Sequence, residues 1–178
     1  MVRSQLAKIL GCQPDAVELL IDPKGKPYCP SPNAPYFNIS HCHNQVALAV
    51  CSQKIGIDIE RNNNKRNIMA IAKNYYADSE LKALQALPPS QQAKLFYQLW
   101  VLKEAIAKAT GKGLGASLNN IELEITNTGI KQIKPNLEPL QLLCQQLNNN
   151  IWMGVSVITK QAVTTNIKQL TSAAPEST

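Results

Sequence analysis

Apolar and polar positions alternate along this chain with two different periods. Val2, Leu6, Ile9 and Leu10 recur at helical spacing, and Gly11 follows them, which predicts a helix over residues 2–10. A short apolar segment at 16–21 leads into Asp22-Pro23-Lys24-Gly25, a set of turn-forming residues. Residues 26–35 carry four prolines and predict an extended loop. Q-V-A-L-A-V-C at 45–51 predicts a buried strand, Ser52-Gln53-Lys54 a tight connection, and I-G-I-D-I-E at 55–60 a second strand with clean alternation. A polar loop follows at 61–67. Helices are predicted over 68–76, from about Asp78 to just before Pro88-Pro89, and from about Ser90 to Thr110, where Gly111 ends the longest one. Residues 119–126 alternate as a strand, 138–148 predict a helix with Pro139 near its start, and 151–158 predict a final strand. Beyond Thr159 the chain turns rich in Thr, Ser, Gln and Ala, the composition of a frayed or disordered tail. Helices mixed with antiparallel-type strands define the α+β class.

Composition narrows this picture. A chain of 178 residues fits one domain or two small subdomains, and with 44% hydrophobic but only 5% aromatic residues its core should be aliphatic. The net charge of +6 suits acidic partners: phosphorylated small molecules, acidic proteins or nucleic acid. No long basic run and no nucleic-acid-binding signature is present, so nucleic acid is the weaker choice. Five cysteines, an odd number with no C-x-x-C pair, exclude a disulfide framework and a zinc ribbon and fit a reducing cytosol. Residues 1–8 lack the apolar core of a signal peptide, and no apolar run approaches the roughly 20 residues that span a bilayer. A soluble, cytoplasmic protein is expected.

The strand at 55–60 carries the first candidate chemistry. Ile55, Ile57 and Ile59 share the core face, which places Gly56, Asp58 and Glu60 on the other. Carboxylates two residues apart on a strand are roughly 6–7 Å apart at Cα, within reach of one shared magnesium ion. An ordinary strand with a charged outer face has the same pattern. On the longest helix, Trp100, Glu104 and Lys108 line one face at i, i+4 and i+8, Phe96 extends it upstream, and Lys103 sits one step round. Glu104 and Lys108 could form a surface ion pair worth a few tenths of a kcal/mol. The aromatic stripe beside them instead places them at the edge of a packed face, where Glu104 can meet the strand's carboxylates. The loop Gly111-Lys112-Gly113-Leu114-Gly115 follows a helix and so offers a phosphate no helix N-terminus. His41 and His43 are spaced as a metal pair, but no third ligand has sensible spacing. His41 remains either a phosphate donor or an ordinary capped histidine.

Three blocks, F-N-I-S-H at 37–41, G-I-D-I-E at 56–60 and F-Y-Q-L-W-V-L-K-E-A-I-A-K-A-T-G-K-G-L at 96–114, together resemble the 4'-phosphopantetheinyl transferase superfamily. G-K-P at 25–27 is a weaker fourth block. The resemblance is to the larger, monomeric, surfactin-synthetase-activating-type branch. It implies two similar α/β subdomains related by a pseudo-twofold, here 1–54 as a partial first subdomain and 55–160 as the second, with 161–178 as the tail. That branch carries a further N-terminal segment, so an incomplete first subdomain is expected. It also implies transfer of 4'-phosphopantetheine from coenzyme A to a serine of an apo carrier protein (acyl, peptidyl or polyketide), with release of adenosine 3',5'-bisphosphate. In that scheme Asp58, Glu60 and Glu104 hold Mg2+. Lys108 contacts the phosphates and acts in catalysis with Glu104. Lys26, Ser40 and His41 grip the nucleotide phosphates, and Glu80 occupies the place of a general base. Attack of a serine hydroxyl on a pyrophosphate needs charge neutralisation and a proton acceptor, and this inventory supplies both. The alternative is a truncated, non-catalytic module that binds coenzyme A or a carrier protein.

Overall fold

The computed structural model describes residues 1–111, 118–126, 129–134, 139–148, 150–164 and 166. The expected tail therefore falls mostly outside the described residues, as does most of the glycine-rich loop. Helix α1 spans Val2–Leu10 and closes on Gly11, whose φ of 68° places it in the left-handed region that glycine tolerates. β1 (Leu20–Ile21) and β2 (Pro27–Tyr28) pair antiparallel around the predicted turn. There Asp22 Oδ1 accepts from the backbone N–H groups of Lys24 and Lys26, each at 2.8 Å.

β3 (Tyr36–Cys42) and β4 (Gln45–Cys51) form an antiparallel hairpin. Only its second strand was expected. The alternation of the first is nevertheless written in Phe37 and Ile39 against Asn38 and Ser40. Phe37, Ile39, Leu48 and Val50 pack on Leu6 and Ala7 of α1. The opposite hairpin face, with Ala47, Ala49, Cys42 and Cys51, packs on the main sheet.

That sheet holds β5 (Ile55–Arg61). After it come α2 (Ile68–Tyr75), α3 (Asp78–Gln85), α4 (Pro89–Thr110), the hairpin β6 (Glu122–Thr126) and β7 (Gly129–Lys134), then β8 (Leu140–Asn148) and β9 (Ile151–Ile158). The sheet order is β5-β9-β8, antiparallel throughout. β8 overturns the expected helix at 138–148. Leucines and glutamines favour a helix in isolation, but β9 offers the segment a ladder from Leu140–Ile158 to Asn148–Ile151. Leu140, Leu142 and Cys144 then face α4 while Leu143 faces the other core, a period of two. Pro139 begins this ladder by accepting the Thr159 N–H at 2.9 Å.

α4 lies between the sheet and α2, α3 and β6, and from Leu95 to Ala109 most of its residues are buried. Two glycines let it come down on the strands. A Cβ at Gly56 would stand 2.0 Å from the Ala105 carbonyl oxygen, and one at Gly154 2.4 Å from that of Val101. Gly154 pairs with Asp58, so the helix also comes close beside the strand's first carboxylate. The face of β5 carrying Gly56 and Asp58 is thus covered by α4, whereas Ile55, Ile57 and Ile59 face the hairpin side as expected.

Candidate active site

Among the described residues the edge of β5 away from β9 has no strand ladder, and its backbone groups turn to side chains. The Ile57 N–H donates to Asn38 Oδ1 at 2.8 Å and the Ile59 N–H to Ser40 Oγ at 3.3 Å. The Ile55 carbonyl accepts from Lys26 Nζ at 3.3 Å and the Ile57 carbonyl from Lys108 Nζ at 3.1 Å. A buried backbone group without a partner is costly, so these four contacts replace the missing strand.

They also assemble the charged corner. Asp58, 7% exposed, receives Lys108 Nζ at 2.7 Å and Ser40 Oγ at 2.9 Å on Oδ1, while its Oδ2 is buried with no hydrogen-bond partner among the described residues. Burial pushes the Asp58 carboxyl up, and the Lys108 ammonium and Ser40 hydroxyl oppose that shift. Glu104, 9% exposed, is raised to about 7, first by burial and then by the charges of Asp58 and Glu60, against the pull of Lys108. Glu60 lies nearer the surface and pairs with Arg66 at 3.4 Å.

Asp58, Lys108 and Ser40 are thus in contact, and the charges of Asp58, Lys108 and Glu60 all reach Glu104. Hard carboxylate oxygens with one buried oxygen left unpaired suit a cation such as magnesium. As the side chains stand, however, no three His, Cys, Asp or Glu groups among the described residues converge on a single metal position. Lys26 belongs to the same corner through the backbone: its Nζ also donates to the Lys108 carbonyl at 2.9 Å, tying the turn before β2 to the end of α4. Beside it, Lys24 Nζ caps the Gly111 carbonyl at 2.7 Å. His41 pairs with Val46 and is exposed on the face of β3 opposite Ser40. His43 sits in the hairpin turn with a φ of 57°.

Glu80 stands elsewhere. It is 1% exposed, and its partners are Lys103 Nζ at 2.7 Å, the Ala77 N–H at 2.8 Å and the Leu123 N–H at 2.8 Å. Lys103, fully buried, also donates to the Leu118 and Ile121 carbonyls. None of the corner's residues is among these partners, and both Glu80 oxygens are already engaged.

Four residues of structural weight escaped the sequence: Asn38, Gly56, Lys103 and Gly154. Lys103 left one signal, a lysine set among apolar helix positions. Asn38 left another, a polar residue between Phe37 and Ile39.

The fold is α+β, and its charged corner, a carboxylate paired with a lysine, lies between a strand edge and a long helix. Residues 54–164 match the family model of the 4'-phosphopantetheinyl transferase superfamily, and the chain belongs to that family. A 4'-phosphopantetheinyl transferase of Bacillus subtilis is 37% identical over 129 residues, which cover 72% of this chain and 57% of that protein. The 4'-phosphopantetheinyl transferase HetI of Nostoc is 36% identical over 132 residues, covering 72% of this chain and 55% of its own length. A Synechocystis relative is 32% identical over 172 residues, 90% of this chain and 70% of that one. The chain thus spans between about half and about two-thirds of the length of these relatives. Among solved structures, a holo-(acyl-carrier-protein) synthase from Bacillus anthracis, in complex with CoA (3',5'-ADP), superposes with a TM-score of 0.50 at 22% identity. It matches 59% of this chain and 94% of that one, a likeness of fold.

Proposed function

We propose that the protein transfers 4'-phosphopantetheine from coenzyme A to a serine hydroxyl of an apo carrier protein and releases adenosine 3',5'-bisphosphate. The observation that carries this is the buried Asp58, with Lys108 on one oxygen, none on the other, and Glu104 alongside. Asp58, Glu60 and Glu104 would hold Mg2+, which when bound would neutralise the pyrophosphate and make its phosphorus a better electrophile. Lys108 holds positive charge where the phosphates would lie, and Lys26 sets the end of its helix. Ser40 orients Asp58, while His41 stands exposed and free to meet a phosphate further out. We assign Glu104, beside Asp58 in the corner, to accept the proton of the attacking serine. Glu80, with both oxygens committed, is left out of proton transfer.

We read the protein as a cytoplasmic monomer in two parts, 1–54 and 55–160. Five unpaired cysteines fit a reducing compartment, and no helix among the described residues is long and apolar enough to cross a membrane. The test is incubation of the purified protein with Mg2+, coenzyme A and an apo carrier protein, read by intact mass. The carrier should gain one phosphopantetheine group. An unmodified carrier at high protein concentration overturns the transferase, and calorimetric binding of coenzyme A in that case identifies a binding module.

A further inference from the structure

The geometry points to Lys108 as an internal cation that occupies the Asp58 corner until a divalent ion displaces it, which frees its ammonium for a phosphate. This deepens the magnesium reading above and rests on it. Lys108 Nζ has three acceptors: Asp58 Oδ1 at 2.7 Å, the Ile57 carbonyl at 3.1 Å and Ser40 Oγ at 3.2 Å. The ion pair is mostly shielded from water, with side chains 17% and 9% exposed. An ammonium so placed offsets the charge of a buried carboxylate that would otherwise be costly. It also stands where a doubly charged ion on the same carboxylate would repel it, and low exposure weakens the screening between them.

Two features make exchange feasible. Asp58 Oδ2 is buried and unpartnered, so an incoming cation finds an oxygen not yet taken. Lys108 reaches the corner from the last turn of α4 on a flexible four-carbon stem, so its amine can swing away while the helix stays put. The helix end is held separately, by Lys26 on the Lys108 carbonyl and Lys24 on that of Gly111. Released from Asp58, the amine keeps its charge beside Ile57 and is available to an anion. Cation binding would therefore prepare the phosphate site, and by linkage phosphate binding would tighten the cation.

The test uses Mn2+ alone as the probe, titrated by electron paramagnetic resonance into the full chain with no nucleotide present. Lys108→Met removes the competitor and should bind Mn2+ about tenfold more tightly than wild type, the scale of one charge-assisted pair. Lys108→Arg keeps the charge and should not gain. Amine acylation followed by peptide mass analysis tests the wild-type chain directly: Lys108 should label slowly in metal-free buffer and faster with Mg2+, with exposed Lys82 unchanged. If Lys108→Met does not fold, this second measurement decides. Wild type that binds Mn2+ with no gain in Lys108→Met, or with unchanged Lys108 labelling, overturns the exchange and leaves the metal site standing. Absence of binding in both proteins overturns the metal site and the exchange together.

Discussion

Replacing Gly56 by alanine tests how the corner is built. The new Cβ would lie 2.0 Å from the Ala105 carbonyl oxygen and 2.6 Å from the Ala109 nitrogen, both backbone atoms of α4. Relief to 3.0 Å needs the helix and strand to part by about 1 Å. A flexible side chain could swing aside, but α4 is held between the sheet and the α2–α3 layer and cannot. Overpacking a well-filled core costs about 1–3 kcal/mol, and this backbone clash belongs at or above the top of that range. We expect Gly56→Ala to lose roughly 3 kcal/mol in urea unfolding with an unchanged m-value. Gly25→Ala is the comparison: φ is 84° with nothing within 4 Å, so only backbone strain of about 1–2 kcal/mol applies. Because Glu104 adjoins Ala105, the shift would also carry its carboxyl away from Asp58 and weaken Mn2+ binding. A Gly56→Ala protein that loses less than about 1 kcal/mol, or binds Mn2+ as wild type does, would refute the close approach of helix and strand as the source of the corner.

Three further outcomes follow from the same geometry. Glu104 titrates near 7 in the fold against an ordinary 4.5, so the folded protein holds its proton more tightly than the unfolded chain. The stability this provides is complete below about 4.5 and is lost as pH rises through about 7, a gap worth roughly 3 kcal/mol. Glu104→Gln should therefore melt at a higher temperature than wild type at pH 8 in chelator, and the two should converge near pH 4; a variant without advantage at pH 8 contradicts the buried charge. Lys103→Met strands the Glu80 carboxylate and should cost about 3–5 kcal/mol, whereas Glu80→Met combined with Lys103→Met should cost clearly less than the sum of the singles. Strict additivity in that double-mutant cycle would deny the pair. Asn38→Ala leaves the Ile57 N–H without an acceptor and should cost about 1–3 kcal/mol, with hydrogen exchange accelerated at Ile57; an unchanged exchange rate would show that the amide has another partner.

Elements with strong local periods could be read from the chain. α1, β4, β5, α4 and β9 fall within a residue or so of their expected bounds, because each carries an apolar stripe and a glycine or turn at its end. That Asp58 and Glu60 share one strand face, and Glu104 and Lys108 one helix face, was legible for the same reason, from strand alternation and the helical i+4 step. The segment at 138–148 was misread because its leucines and glutamines fit a helix as well as a strand. Only the ladder to β9 decides between them. The partners of Glu80 were not legible, for a related reason. Its position at the start of a helix is plain in the sequence, but the identity of its partner, Lys103, depends on how α3 packs against α4.

The chain by itself determined which groups are available: two carboxylates on one face of a strand, a third carboxylate and a lysine on one face of a helix, and a serine in the block before them. These are local facts, set by periods of two and 3.6 residues. The tertiary structure decided which of them meet. Gly56 and Gly154, nearly a hundred residues apart, bring α4 onto β5. Asn38 and Ser40 stand in for a missing strand at the β5 edge, and Lys108 chooses Asp58, fifty residues away, over its own helix neighbour Glu104. Such choices depend on packing density and on the cost of leaving a buried polar group unpaired, and both are properties of the assembled fold.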